Sequence, residues 1–168
     1  MADRNSTHSV LRERIVEHLF VGEALKHLWR RNITDMEVLR LEFDAHGYDL
    51  VLSCGPIVRH VQFKTKLQRK NARAKKPVRV SVSRSLAEKP SGCVIWILIT
   101  EDLDLGPFFW FGGEPGQPLP AVDEFKSPKK LRRTAAGVRN LRQNHRLIPP
   151  SAFQKIERLE DVLAKLFG

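Results

Sequence analysis

The chain has 168 residues, 42% apolar and 29% charged, which suits one domain with a sizeable core. Its 29 Lys plus Arg against 19 Asp plus Glu leave a formal charge of +10; nucleic acid is the commonest partner for such a balance, with a membrane surface or plain solubility as blander readings. No apolar run approaches the ~20 residues of a membrane span, residues 1 to 9 lack the apolar stretch of an export signal, and Cys54 and Cys93 form no Cys-x-x-Cys pair. These absences argue against a transmembrane segment, a disulfide framework and a zinc site, and a cytoplasmic location is expected.

In chain order, Val10 to Arg31 is expected to be a helix, since Leu11, Ile15, Leu19, Gly22, Leu25 and Trp29 recur at three- and four-residue spacing, with Ser9 as N-cap. At about 100° per residue, Val16, Leu19 and Phe20 widen the apolar arc until Glu23 falls inside it, while Glu17 points to the far side. A carboxylate on a packed face needs an ion pair or a metal, which singles out Glu23, with Glu17 as the fallback. Asp35 to Asp44 follows as a strand with Leu39, Leu41 and Phe43 toward the core. A loop holding Asp44, His46 and Gly47 then delivers Asp49; His46 is better read as solvated than as a substrate contact.

Tyr48, Leu50 and Leu52 alternate with Asp49, Val51 and Ser53 as a strand does, and Cys54-Gly55-Pro56 turns the chain into a second strand, Ile57 to Leu67. On that strand His60, Gln62, Lys64 and Lys66 share a face. If Ser53 pairs with Val58, Asp49 lies opposite Gln62; a slip of one residue would send the two side chains to opposite faces. A carboxylate and an amide oxygen are hard ligands for Mg²⁺, and a neighbouring ammonium can stabilise charge on a phosphate.

After Leu67 comes a run without acids that includes Arg69, Lys70, Arg73, Lys75 and Lys76. Its nearness to Lys64 and Lys66 favours a phosphate-gripping loop over a merely solvated one. Val78, Val80 and Val82 alternate with polar residues as a strand or an extended rim. Cys93 to Thr100 is continuously apolar and reads as a central strand buried on both faces, with Phe108 to Phe111 as its hairpin neighbour. A second acid-free basic segment, Lys126 to Arg146, holds Lys129, Lys130, Arg132 and Arg133, suited to phosphate contacts. Ser151 with Gln154 makes a capping box for a last helix, Ala152 to Phe167, whose apolar stripe serves packing or a homodimer contact.

Asp49 followed by Gln62-Phe63-Lys64 resembles the core motif of the PD-(D/E)xK nuclease superfamily, in which an acid ends one strand segment and an acidic-x-Lys tripeptide lies on the next. The departure is Gln62, where the pattern has its second acid; GYDL followed by VQFKT also resembles a bacterial group of small nuclease-like domains in which Gln-x-Lys replaces Glu-x-Lys. The resemblance spans roughly Glu17 to Gly112. It implies an α/β domain with a restriction-endonuclease-like core (about 10–112) and a mixed sheet of four or five strands, to which the basic segment and C-terminal helix read from the residues over 121–168 are added. It further implies Mg²⁺ or Mn²⁺ held by Asp49, Gln62 and the Phe63 carbonyl with help from Glu23, and Lys64 rather than Lys66 as the reactive lysine. Cleavage of DNA by metal-activated water is then expected; the competing expectation, which Gln62 favours, is an inactive nuclease-derived module that only binds nucleic acid.

Overall fold

The computed structural model describes residues 7–42, 46–68, 78–128 and 144–168. Its elements in chain order are α1 (Ser9–Arg30), β1 (Met36–Arg40), β2 (Leu50–Cys54), β3 (Ile57–Leu67), β4 (Val80–Ser83), α2 (Arg84–Ala87), β5 (Gly92–Ile99), β6 (Leu105–Gly112), β7 (His145–Ile148), β8 (Gln154–Ile156) and α3 (Leu159–Phe167). Six strands form one mixed sheet in the order β1-β2-β3-β5-β6-β8, while β4 and β7 form a separate antiparallel ribbon. Only β3 and β5 run parallel; every other neighbouring pair in the large sheet is antiparallel.

The continuous apolar run does become the central strand, buried on both faces as a strand with helices on one side and more chain on the other must be. Against one face α1 and α3 pack Val16, Phe20, Ala24, Leu28, Leu163 and Leu166 onto Leu50, Leu52, Val61, Phe63, Ile95 and Ile97. Against the other, the ribbon, α2 and the loop carrying Leu119 and Val122 cover Tyr48, Val94, Trp96, Phe111 and Phe153. Among the described residues no helix is long and apolar enough to cross a membrane.

Four expectations change. The large sheet has six strands because Gln154–Ile156, expected inside the last helix, pairs with Phe108–Trp110 as β8. That helix therefore begins at Leu159, its N-cap is Arg158, and Ser151 lies in a 3-10 turn instead of a capping box. On β1 the side chains reaching the core are Met36 and Val38, whereas Leu39 is 53% exposed, because β1 is an edge strand whose covered side faces α1. On α1 the buried stripe is Val16, Glu17, Phe20, Val21, Ala24 and Leu28, while Leu11, Leu25 and Trp29 face outward; the cap is His8, with no side-chain hydrogen bond. Both stripes have helical spacing, and contact with the sheet selects the one that continues through Phe20, whose ring meets Phe63 edge-on at 4.9 Å.

Two local devices fix the region that matters below. Gly55, at φ 55°, opens the two-residue turn with Pro56 and sets the pairing Cys54↔Ile57 and Ser53↔Val58. Gly47, at φ 76°, passes so close to Ser83 that an added Cβ would lie 2.4 Å from the serine Cβ, which seats the loop entering Asp49 against the end of β4.

Arg59 of β3 ties the far end of the sheet. Its side chain is fully buried, donates to the Leu166 and Lys165 carbonyls at the end of α3 and to the Gly113 and Glu114 carbonyls, and lies 5.4 Å from the Trp110 ring centroid. A cation placed there meets the negative end of the helix dipole. Burial pushes the Arg59 pKa down from its ordinary value, opposed by Cys93 and Glu114. Burial also pushes the Cys93 thiol up to about 12, partly offset by Arg59.

Candidate functional site

Asp49 sits where β2 begins and β3 runs on beside it. Its N–H donates to the Val61 carbonyl at 2.8 Å, and its Oδ2 accepts from the Phe63 N–H at 2.6 Å. The carboxylate thus continues the ladder beyond the last paired residue of β2, Leu50 opposite Val61, in the register that pairs Ser53 with Val58. A strand residue turns its N–H and C=O toward the same edge, so the Phe63 carbonyl also points toward this corner.

A cavity of about 270 Å³ opens here, lined by Val10, Glu13, Arg14, Glu17, Asp49, Phe63, Lys64 and Thr65. Asp49 and Lys64 both border this cavity, and the helix contributes a carboxylate, but it is Glu17. Glu17 is 5% exposed and ion-paired with Arg14 at 3.1 Å and with Arg40 at the end of β1. Glu23, the residue singled out on the helix, lies elsewhere: its side chain is half exposed, pairs with Lys26, and borders a different hollow with Leu19, Phe108 and Leu159. The correction follows from the helix phase. Six residues separate the two glutamates, about 600° at 100° per residue and so well over a right angle around the axis, and whichever stripe meets the sheet carries only one of them inward.

Gln62 is 6% exposed and does not line this cavity; it pairs with Val94 of β5, and its Oε1 is buried with no hydrogen-bond partner among the described residues. Thr65, by contrast, does line it, and its Oγ1 is also buried with no hydrogen-bond partner among the described residues. Thr65, Arg14 and Arg40 escaped the sequence reading. Thr65 lies in the middle of a strand where a β-branched residue is unremarkable, and the arginines become significant only once Glu17 is placed.

Among the described residues no three His, Cys, Asp or Glu side chains converge as a metal-ligand group. Mg²⁺ needs only one or two carboxylates beside its waters, and Asp49, the Phe63 carbonyl and Glu17, once released from its arginines, are oxygen donors of the kind that it takes. A larger cavity of about 340 Å³, lined by His8, Leu11, Arg12, Ile15, Glu101, Asp102 and Leu103, holds no such combination with a lysine.

Of the basic residues assigned to nucleic acid, Lys66 is exposed on β3, with its ammonium 6.0 Å from the Trp96 ring centroid. Arg69, Lys70, Arg73, Lys75, Lys76, Lys129, Lys130, Arg132 and Arg133 lie outside the described residues. His46, next to the corner, is exposed and stacks on Tyr48 at 6.3 Å, and Tyr48 in turn meets His60 edge-on and has the Lys89 ammonium 5.9 Å from its ring centroid. No family model, curated protein or solved structure matches the chain.

Proposed function

We propose that this protein is a metal-dependent nuclease-like domain with a restriction-endonuclease-like core, working in the cytoplasm and cleaving DNA phosphodiester bonds by attack of water. The observation that carries the reading is the position of Asp49: its carboxylate meets the backbone of Phe63 one residue from Lys64, in a cavity that also holds Glu17. Asp49, Glu17 and the Phe63 carbonyl are the oxygen donors that would hold Mg²⁺ or Mn²⁺, which when bound supplies charge neutralisation at the phosphate and a more acidic water.

The chain's own groups do the rest. Lys64 stabilises the charge that grows on the phosphate oxygens, and its flexible stem lets the ammonium follow the reacting group. The Phe63 N–H holds Asp49 in one orientation, so the carboxylate needs little reorganisation when charge arrives. The formal +10 of the chain favours a polyanion at this corner and raises its rate of encounter.

A second reading, an inactive module that binds nucleic acid, is favoured by Gln62, which supplies no charge, and by Glu17, already engaged by two arginines. The test is supercoiled plasmid with Mg²⁺ or Mn²⁺, an EDTA control, and the Asp49→Ala and Lys64→Ala variants. Nicking that disappears in EDTA and in both variants supports the nuclease. Salt-dependent DNA binding without nicking supports the binding module.

A further inference from the structure

Glu17 reaches the corner already gripped, and both grips come from the solvent side. The Arg14 side chain, one turn earlier on α1, is 61% exposed and that of Arg40 is 35% exposed, against 6% for Glu17. Arg40 also lies 3.4 Å from His18 Nδ1. Among the described residues the cavity is lined by three carboxylates, Glu13, Glu17 and Asp49, and by Arg14 and Lys64, and with Arg40, the other partner of Glu17, their charges balance before anything binds.

That balance decides what can enter. A divalent cation arriving alone must displace two guanidiniums from Glu17 and leaves the corner with two surplus positive charges. Phosphodiester groups arriving with it restore neutrality. A guanidinium pairs with phosphate through the same forked donors that it offers a carboxylate, so the exchange keeps the hydrogen bonds of the arginines satisfied.

We infer that Arg14 and Arg40 form a substrate-responsive latch: the backbone phosphates of a bound nucleic acid draw both guanidiniums off Glu17 and open its carboxylate to the metal. This rests on the nuclease reading above and adds to it two phosphate-contacting residues and an order of assembly. Metal and nucleic acid then bind with positive coupling, which by linkage is equal in both directions.

The test is a titration with Mn²⁺, followed by loss of the electron paramagnetic resonance signal of the free ion, with and without a short DNA duplex whose integrity is checked on a gel. The duplex is expected to tighten Mn²⁺ binding by about tenfold or more in the natural chain. In the Arg14→Gln/Arg40→Gln protein Mn²⁺ binds more tightly than in the natural chain when DNA is absent, and the duplex adds little. Arg14→Gln alone, at an exposed position, gives a smaller change in the same direction and serves if the double variant folds poorly. Equal Mn²⁺ affinity with and without the duplex, or full coupling in the arginine variants, overturns the latch while leaving the nuclease reading in place. Absence of Mn²⁺ binding under both conditions overturns the two together.

Discussion

Arg59 and Glu17 both carry charge into the molecule, yet they are held in different ways. Arg59 is fully buried, and its partners are four backbone carbonyls on the α3 terminus and the Gly113–Glu114 turn, none of which can leave without unfolding something. Glu17 is 5% exposed, but its partners are two side chains whose other ends reach water. A charge answered by backbone is a fastener; a charge answered by exposed side chains is exchangeable. The contrast separates the structural end of the sheet from the end at which we propose that a ligand binds.

The strongest way to break the comparison is Arg59→Met, which removes a charged donor from all four carbonyls. A loss of about 3 kcal/mol or more is expected in urea denaturation. Should the variant lose less than about 1 kcal/mol, the carbonyls find water and Arg59 is no fastener. Next is Gly47→Ala. Its positive φ and the approach to Ser83 predict a loss of about 1–2 kcal/mol, together with a larger fall in DNA nicking, since the displaced loop carries Asp49.

At the exchangeable end the stability effect shrinks. Glu17→Ala is expected to change the unfolding free energy by about 1 kcal/mol or less, because both arginines can turn to solvent. A loss equal to that of Arg59→Met would erase the distinction drawn here.

The last effect is absent at neutral pH. The Cys93 thiol is raised from 9.0 to about 12 in the folded chain, so its contribution is fully present below pH 9 and is lost as the pH rises toward 12, where the unfolded chain ionises first. Denaturation midpoints should therefore fall over that range, and fall less steeply in Cys93→Ala. Identical slopes would mean that Cys93 is not held neutral by burial.

What the sequence made legible was whatever rested on short-range geometry. Cys54-Gly55-Pro56 announced a turn between two strands, but Ser53↔Val58 was one of the registers open to it, and the structure selects it with a two-residue Gly55-Pro56 turn that brings Asp49 to β3. The run from Cys93 to Thr100 is continuously apolar and bounded by Pro90-Ser91-Gly92 and Glu101-Asp102, which marks a central strand without any knowledge of its neighbours. What was not legible depended on partners far away in the chain. Val16, Phe20, Ala24 and Leu28 compete with Leu11, Ile15, Leu25 and Trp29 on one helix, and only the sheet selects between them; that selection moved the candidate glutamate from Glu23 to Glu17. Gln154–Ile156 holds a single apolar side chain, too little pattern to announce a strand that forms because β6 has an open edge. Arg59 gave no signal at all, since its four partners are carbonyls and carry no sequence identity.

The most direct measurement is metal-dependent plasmid nicking by Glu17→Gln and Glu23→Gln, assayed side by side. Glu17→Gln is expected to lose about 100-fold or more in rate while Glu23→Gln keeps the activity of the natural chain. Loss in Glu23→Gln with activity retained in Glu17→Gln would contradict that expectation, and so would equal activity in both.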